Sequence, residues 1–304
     1  MYNGVFAVDK PEGMTSHDVV AKVRRLLHIK KVGHTGTLDP EVTGVLPIVV
    51  GSATQLTEIM QERDKGYLAT VSLGFSTDTE DQTGEVTGTS SIKGITEADI
   101  DAAIQSFLGD YNQMVPAYSS VKVNGKKLYL YARKNIEVER PIRKVKIKSI
   151  KRVSEIIFNE NTIEFEIDVV CSKGTYIRTL AVDIGRQLGV HAHMSKLRRT
   201  LSCGISLERT TPLSDLKPED LIPILEILDD IERVDIIGEN TLFRIATGQK
   251  ISNADMMEII GQKDLERILF VYKNQPVGIY RKHPTKVGWY KPFKMFLTRE
   301  DLMK

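Results

Sequence analysis

The chain has 304 residues, of which 41% are hydrophobic and 27% charged, and its formal net charge is +2. This composition is typical of a globular protein, argues against extensive disorder, and allows about two domains. The two cysteines, Cys171 and Cys203, lack the spacing of a zinc site or a disulfide framework, so we expect reduced thiols. The first residues lack the features of a signal peptide, and the most apolar run, GVLPIVVG, is too short to span a bilayer. We therefore expect a cytoplasmic protein.

The first part of the chain predicts strands and helices in mixed order. Residues 4–9 predict a strand, and SHDVVAKVRRLL predicts a helix with Ser16 or Asp18 as its N-cap. The apolar face of this helix contains Val19, Val20, Val23, Leu26 and Leu27. Further along, VLPIVVG predicts a buried strand, SATQLTEIMQERD a helix opened by Ser52, and GYLATVSLG another strand.

The middle of the chain continues this mixture. In TEADIDAAIQSFLG, Thr96 and Asp99 have the spacing of a capping box, and Gly109 is a plausible helix stop. TIEFEIDVVC alternates as a strand does, and a helix from Tyr176 to Leu188 follows it. Because strands and helices do not alternate regularly, the pattern favours an α+β fold over a doubly wound parallel sheet.

Charge is distributed unevenly along the chain. Residues 122–152 contain twelve Lys or Arg against two Glu, residues 213–239 contain nine Asp or Glu against two cations, and basic residues return after Arg281. This arrangement suits an acidic polymer held at two places. A second interpretation stays open: RKVKIKSI alternates like a half-buried strand, and antiparallel pairing with TIEFEIDVVC could cancel its lysines against Glu164, Glu166 and Asp168.

The C-terminal part differs in pattern from the rest. TTPLSDLKPEDLIPILEILDDIERV predicts an acidic helical connector, and RILFVYKNQPVGIYRK predicts a β-hairpin around residues 274–276. We place a domain boundary near Ile231.

One glycine-rich loop is the strongest candidate for chemistry. In GHTGTLDP, residues 33–40, the glycines permit close approach to the backbone, and Asp39 is kept out of the helical region by Pro40. SKGTYIRTLAVDIG places Arg178 near a helix start, and an Arg is a natural partner for a carboxylate that must stay ionised. Such a carboxylate can act as a nucleophile or a base, although an Asp-Pro turn can equally be structural.

The usual cofactor and metal motifs are missing from the sequence. There is no GxxxxGK[ST], HExxH or GxSxG motif. The pair His191 and His193 alternates as in a strand and has no evident third ligand. We therefore expect no metal and no cofactor.

Several motifs together resemble a known family. GHTGTLDPEVTGVLPIVVGSAT is similar to the signature loop of the tRNA pseudouridine-55 synthases, the TruB family. The segments DKPEGMTSHDVV, KGYLATVSLGFSTDTEDQTG, VPAYSSVKVNGKKLYLYAR, CSKGTYIRTLAVDIG and MSKLRRTLSCG also resemble motifs of that family. Together the motifs cover about the first two-thirds of the chain.

The resemblance implies a fold and a reaction. The expected fold has a central mixed, mainly antiparallel sheet flanked by helices in a catalytic domain, residues 1–230, and a small β-rich, PUA-like RNA-binding domain, residues 231–304. The expected reaction isomerises uridine 55 in the T loop of tRNA: the base is flipped out, detached at N1 and rejoined to the ribose through C5. The partner would be the T-arm of tRNA, no cofactor would be needed, and the enzyme would be a monomer.

The resemblance also implies roles for individual residues. Asp39 would be the catalytic nucleophile, Arg178 its ion partner, and Tyr67 an exposed aromatic that stacks on the flipped uracil. The remaining assignments are His34 against the RNA near the extruded base, Tyr176 as a substrate contact, Leu197 in the pocket wall, and Lys10 and Pro11 as supports of the catalytic loop.

Two other classes of function stay open at this point. One is a tRNA-binding folding chaperone without catalysis. The other is a glycoside hydrolase, which would need two carboxylates about 5–10 Å apart, and nothing in the sequence pairs Glu41 with Asp39. The first bond made by Asp39, to C6 of uracil or C1′ of ribose, or its action in an elimination, is also left open.

Overall fold

The structure is a computed structural model that describes residues 2–261 and 263–297. Its strands are β1 (Gly4–Lys10), β2 (Val32–His34), β3 (Thr43–Val50), β4 (Lys65–Leu73), β5 (Phe75–Thr77), β6 (Val86–Thr89), β7 (Gly109–Met114), β8 (Lys122–Val123), β9 (Lys126–Lys127), β10 (Ile142–Arg152), β11 (Ile157–Phe158), β12 (Ile163–Cys171), β13 (Ala192–Ser202), β14 (Ile205–Ser206), β15 (Thr211–Pro212), β16 (Ile222–Pro223), β17 (Arg233–Asp235), β18 (Ile251–Ser252), β19 (Arg267–Tyr272), β20 (Gln275–Lys282) and β21 (Trp289–Met295). Its α-helices are α1 (Ser16–Leu27), α2 (Thr57–Gln61), α3 (Glu97–Gln105), α4 (Leu128–Ala132), α5 (Ile177–Gln187), α6 (Ile224–Ile227), α7 (Glu239–Ala246) and α8 (Asn253–Ile260).

A large mixed sheet forms the centre of the fold. Its strand order is β15-β1-β3-β13-β4-β12-β10-β7, with β2, β11, β14 and β16 paired at its margins. Within this sheet the β1–β15 and β3–β13 pairs are parallel and the remaining pairs are antiparallel. The α+β fold with a mixed, mainly antiparallel sheet is thus confirmed.

Helix α1 packs one face into the core beside β1 and β3. Val19, Val20, Val23 and Leu27 are buried as predicted, whereas Leu26 is exposed. Neither of the two N-caps predicted, Ser16 or Asp18, is correct: Thr15 caps the helix, in a capping box with Asp18. The hydroxyl of Ser16 is instead hydrogen-bonded to the main chain of Leu38.

Helices α3 and α5 share a second core cluster with β4, β12 and β13. The predicted capping box of Thr96 and Asp99 is confirmed at the start of α3. The helix ends at Gln105, however, and Gly109 begins β7 instead of stopping the helix. The predicted helix from Tyr176 to Leu188 is confirmed to within one residue at each end: α5 is Ile177–Gln187, with Tyr176 and Leu188 as its caps.

Two other predicted helices are shorter than expected. The segment after β3 begins as a 3₁₀-helix, Gly51–Leu56, and only Thr57–Gln61 is α-helical. The acidic connector contains a single-turn helix, α6, and short strands. Pro212, Pro218 and Pro223 each remove a backbone donor and exclude a regular helix before Ile224, whereas nothing in the structure explains why α6 ends at Ile227. In the residues that the structure describes, no helix is long and apolar enough to cross a membrane.

The basic strand β10 pairs antiparallel with β12, but the two strands do not cancel each other's charge as envisaged. The register does place Lys151 opposite Asp168, but the two form no ion pair in the described structure. Glu164 lies beyond the end of β10, opposite Ile157 of β11. The acidic partners come from other segments: Asp110 binds Lys144, Asp64 binds Lys148, and Asp101 and Glu97 bind Arg152.

A second sheet, in the order β17-β19-β20-β21-β18, makes up most of the C-terminal part. The hairpin expected around residues 274–276 is confirmed, since Tyr272 of β19 pairs with Gln275 of β20. Val271 and Ile279 of this sheet share one apolar cluster with Val5 and Val49 of the central sheet. The two sheets are thus packed against each other through a continuous core.

Gly44 offers a test of the packing between β3 and β13. Its φ is +101°, and a Cβ atom there would lie 2.2 Å from the carbonyl oxygen of Arg199. Gly94, at φ +86°, has open space in the same direction and provides a matched control. We expect Gly94→Ala to lower the free energy of unfolding by about 1–2 kcal/mol from backbone strain alone. Gly44→Ala should lose at least about 2 kcal/mol more, measured by urea unfolding. Equal losses in the two variants would contradict this packing.

Candidate active site

The loop between β2 and β3 is fastened at both sides of Asp39. Before Asp39, the buried Ser16 hydroxyl accepts a hydrogen bond from the Leu38 amide at 2.8 Å and donates one to the Leu38 carbonyl at 3.1 Å. After it, the carbonyl of Pro40 accepts hydrogen bonds from the amide of Gly13 and from Lys10 Nζ, both at 3.0 Å. Leu38 is buried, whereas the side chain of Asp39 is 59% exposed. The loop therefore holds its backbone still and presents one carboxylate outward.

Lys10 is a buried cation, and every hydrogen bond that it makes to the described residues is to a main-chain oxygen. Its ammonium donates to the carbonyls of Pro11 at 2.8 Å, Met14 at 2.6 Å and Pro40 at 3.0 Å. Burial lowers the pKa of Lys10, and the carboxylates of Glu41 and Asp39 oppose that shift. The side chain thus ties the strand end and the turn at Pro11 to the loop that carries Asp39.

Arg178 is the direct partner of Asp39. Its Nη2 atom lies 3.1 Å from Asp39 Oδ2, and its Nη1 atom lies 3.4 Å from both Asp81 Oδ2 and the Thr79 carbonyl. The Arg178 side chain is only 16% exposed, so the surrounding protein restrains its position more than that of the Asp39 side chain. A second acceptor on the other side of the guanidinium restricts its rotation and aims it at Asp39.

Asp81 was not singled out from the sequence. Asp81 Oδ1 accepts hydrogen bonds from Thr79 Oγ1 at 2.8 Å, from the Thr83 amide at 3.0 Å and from Thr83 Oγ1 at 2.6 Å. Asp with Thr two positions away is the signature of a side-chain-stabilised turn, and that signal was available. What the sequence could not show is that the other oxygen of Asp81 faces Arg178.

The start of α5 is held by Gln113, another residue that sequence reasoning missed. The buried Gln113 amide accepts from the Tyr176 amide at 2.8 Å and donates to the Tyr176 carbonyl at 2.9 Å. It also donates to the hydroxyl of Tyr111, which in turn donates to Asp183. Gln113 therefore fixes the backbone two residues before Arg178.

Tyr67 departs from the sequence prediction. It lies in β4 opposite Arg199 of β13 and is 8% exposed, so the expected exposed aromatic is a buried one. Burial raises the pKa of the Tyr67 phenol, and the positive charge of Arg199 opposes that rise. Arg199 is also buried and donates hydrogen bonds to the carbonyls of Val45 at 2.7 Å and Gly36 at 3.2 Å. It therefore contacts the Asp39 loop from the protein interior.

The other predicted site residues lie around this arrangement. His34 is half-buried in β2, Leu197 of β13 pairs with Ala69 and packs between two core clusters, and Tyr176 is the residue before α5. In the hydrogen bonds and ion pairs of residues 2–261 and 263–297, no side chain of His34, Tyr67 or Leu197 is joined to Asp39. His193, considered above as a possible ligand, lies in β13 with Nδ1 3.1 Å from the Phe75 carbonyl.

Comparison with known proteins identifies the family. Residues 24–177 match the family described as "TruB family pseudouridylate synthase (N terminal domain)", and residues 178–222 match "tRNA pseudouridylate synthase B C-terminal domain". The chain belongs to the TruB family of pseudouridylate synthases. The family predicted from the sequence motifs is therefore confirmed.

Similarity to members of this family extends over nearly the whole chain. The tRNA pseudouridine synthase B of Staphylococcus saprophyticus is 47% identical, covering 97% of this chain and 100% of that protein. The protein of the same name from Bacillus pumilus is 44% identical over 97% of this chain and 98% of its own length. Among solved structures, a chain of a Cbf5-Nop10-Gar1 complex matches with a TM-score of 0.72 and 26% identity, covering 98% of this chain and 86% of that one.

The pH dependence of stability tests the burial of His34. Burial lowers its pKa from the ordinary value of 6.5, and the nearby positive charges of His17 and Arg199 add to the shift. As the pH falls below 6.5, the unfolded state binds the proton first, so stability present at neutral pH is lost on acidification. His34→Gln should therefore lose less stability than wild type between about pH 7.5 and about pH 5.5, measured by urea unfolding.

The matched control for this experiment is His28→Asn, since His28 is exposed at the end of α1 and Asn tolerates its positive φ. Its pH dependence should parallel that of wild type. If His34→Gln also runs parallel to wild type, the native pKa of His34 is not depressed.

Proposed function

We propose that this protein isomerises uridine 55 in the T loop of tRNA to pseudouridine, with Asp39 as the catalytic carboxylate. The observation that carries the proposal is the accessible Asp39 carboxylate held at 3.1 Å by a largely buried Arg178. The relatives named tRNA pseudouridine synthase B, which match nearly end to end, support the choice of tRNA as substrate and of pseudouridylation as reaction.

The reaction exchanges one glycosidic bond for another. The N1–C1′ bond of the uridine breaks, the C5–C1′ bond forms, the proton on C5 leaves to solvent and N1 gains a proton. No atom is added to the RNA and no electron is transferred. The carboxylate of Asp39 is required whichever contact it makes first, with C6, with C1′, or with a sugar proton. The Arg178 guanidinium beside it restricts the orientation of the Asp39 side chain.

The residues around Asp39 suit the binding of a uracil base that has been flipped out of the RNA stack. A flipped uracil requires a face to stack on and a closed wall to turn against. We assign Tyr67 to the stacking face and Leu197, His34 and Tyr176 to the surrounding contacts. Because Tyr67 is almost fully covered in the free protein, this assignment requires its surroundings to move when the base enters.

The C-terminal part, residues 231–304, is proposed as a second RNA-binding domain of PUA-like type. The second sheet and the loop between β20 and β21 carry basic and aromatic side chains side by side: Lys286 Nζ lies 4.0 Å from the ring centroid of Trp289, and Arg281 lies 4.2 Å from that of Phe293. Cations next to aromatic rings suit contact with phosphates and bases together.

Tritium release tests the reaction. A tRNA transcript labelled with tritium at C5 of every uridine loses one label each time C5 joins ribose. Wild type should release up to one equivalent, and a transcript with cytidine at position 55 should release none. Asp39→Asn should lower the rate by at least about a thousandfold.

Glu41→Gln is the matched control, because Glu41 is an exposed carboxylate two residues away on the same loop, and it should release tritium like wild type. Absence of release by folded wild type that still binds tRNA would favour a folding chaperone. Loss of activity in Glu41→Gln, with free uracil released by wild type, would favour a two-carboxylate glycosidase.

Gln113 should act on turnover through the placement of Arg178. Gln113→Leu removes the two hydrogen bonds to the Tyr176 main chain, so the start of α5 can shift. A displacement of about 1 Å in such a site costs up to ~100-fold in rate, so we expect kcat for tritium release to fall strongly while the Kd for tRNA changes little.

Gln105→Leu is the control for this variant, since Gln105 of α3 also bonds to a main-chain carbonyl, that of Ile150, but away from α5. It should keep the wild-type kcat. An equal fall of kcat in both variants would mean that the effect of Gln113 is general destabilisation.

A further inference from the structure

A cleft of about 490 Å³ opens beside the Asp39 loop, and its charged side chains are all cations. Its wall contains Lys65, Arg143, Lys144 and Lys173, and it reaches Thr35 and Gly36 of the loop. We call this cleft the basic groove. Among the residues that the structure describes, no Asp or Glu contributes to its lining.

Two of the four cations are neutralised within the protein and two are not. Lys144 binds Asp110 at 2.9 Å, and Lys173 binds Glu62. Lys65 and Arg143 form no ion pair with any of the residues that the structure describes. Lys65 is half-buried, and burial together with the charge of Arg199 lowers its pKa. The groove therefore has positive charge in excess of what the fold itself uses.

Arg199 adds to this field from behind the groove. It is 2% exposed, and the acceptors that it reaches are two carbonyl oxygens, of Val45 and of Gly36, without a carboxylate partner among the described residues. A buried cation without a counter-ion is unfavourable, and an anion bound nearby relieves this cost. Since Arg199 bonds to Gly36, such an anion would also lie next to the catalytic loop.

We propose that the basic groove binds one backbone phosphate of the substrate RNA, close to the nucleotide presented to Asp39, with Lys65 and Arg143 as its ligands. The proposal rests on the proposed function for the identity of the anion. Gly36 and Asp39 are three residues apart, so their Cα atoms are separated by at most about 11 Å. A phosphate in the groove and a base at Asp39 are therefore close enough to belong to neighbouring nucleotides of one strand. A guanidinium with an ammonium beside it is a suitable pair of donors for a phosphodiester.

A cycle of chemical and protein substitutions tests this contact. The RNA is a synthetic T-arm hairpin in which one phosphate at a time near uridine 55 is replaced by an uncharged methylphosphonate on a 2′-O-methyl nucleotide. The same 2′-O-methyl nucleotide with a normal phosphate is the reference. The proteins are wild type, the double variant Lys65→Gln/Arg143→Gln, and the control Lys151→Gln, an exposed lysine of β10 outside the groove. Fluorescence anisotropy gives Kd for each pair.

Wild type should bind about tenfold more weakly when one particular phosphate within two nucleotides of uridine 55 is neutralised. At that position the double variant should show less than about a twofold effect, while Lys151→Gln should behave as wild type. Matching circular dichroism and melting curves ensure that the double variant is folded. If every neutralised phosphate weakens the double variant as much as wild type, the groove holds no phosphate and the proposal is wrong.

The same proteins assayed for tritium release separate this proposal from the proposed function. If wild type releases tritium but no neutralised phosphate affects wild type more than the double variant, the groove proposal alone is overturned. A groove-specific phosphate without any release by wild type would overturn the catalytic proposal and leave the groove as an RNA-binding site.

Discussion

The ion pair between Asp39 and Arg178 is the constraint around which the site is arranged. It joins the loop after β2 to the start of α5, and through Asp81 it also reaches the turn after β5. A pair that is so accessible on the carboxylate side contributes only about 0–1 kcal/mol to stability. Its importance is therefore positional: Arg178 is held by Asp81 on the protein side, and the Asp39 carboxylate is left accessible to solvent.

The rigidity of the pair comes from polar groups buried beneath it. Lys10, Ser16 and Gln113 each bond to the main chain of a segment that carries a site residue or its neighbour. A hydrogen bond to the main chain fixes the position of the backbone independently of the side chain at that residue. Breaking such a bond is unfavourable, because a buried polar group left unpaired costs about 1–3 kcal/mol. The loop and the helix start are thus held in place by hydrogen bonds to the main chain that do not involve the Asp39 carboxylate.

Much of the local structure could be predicted because it depends on neighbours in the chain. The apolar spacing in α1 and the Thr96–Asp99 capping box are local patterns, and both were recognised from sequence. The exact cap of α1 was missed because Ser16, a good cap by residue type, is needed by Leu38 on a distant loop. The acidic connector was expected to be helical, although it contains three prolines, which interrupt a helix.

The candidate site was predictable only as far as its motifs. Asp39 and Arg178 lie 139 positions apart, and their contact depends on the sheet that brings the two segments together. The importance of Asp81, Gln113 and Arg199 could not be found in the same way, since each acts on a segment distant in sequence. Tyr67 shows the opposite failure: the family resemblance implied an exposed aromatic, whereas Tyr67 belongs to a core cluster and is 8% exposed.

The basic strand β10 shows why a charge run does not by itself define a binding surface. Alternation along a strand tells which side chains share a face, but the identity of the neighbours depends on register and on segments packed from elsewhere. Here Asp110 and Asp64, which are not part of β12, neutralise Lys144 and Lys148. Arg143, one residue before Lys144, meets no acid among the described residues. The run thus contains cations that are paired with acids and cations that are not. Under the proposed function, only the unpaired cations are available to bind RNA phosphates, and their usefulness depends on their position relative to the loop that carries Asp39.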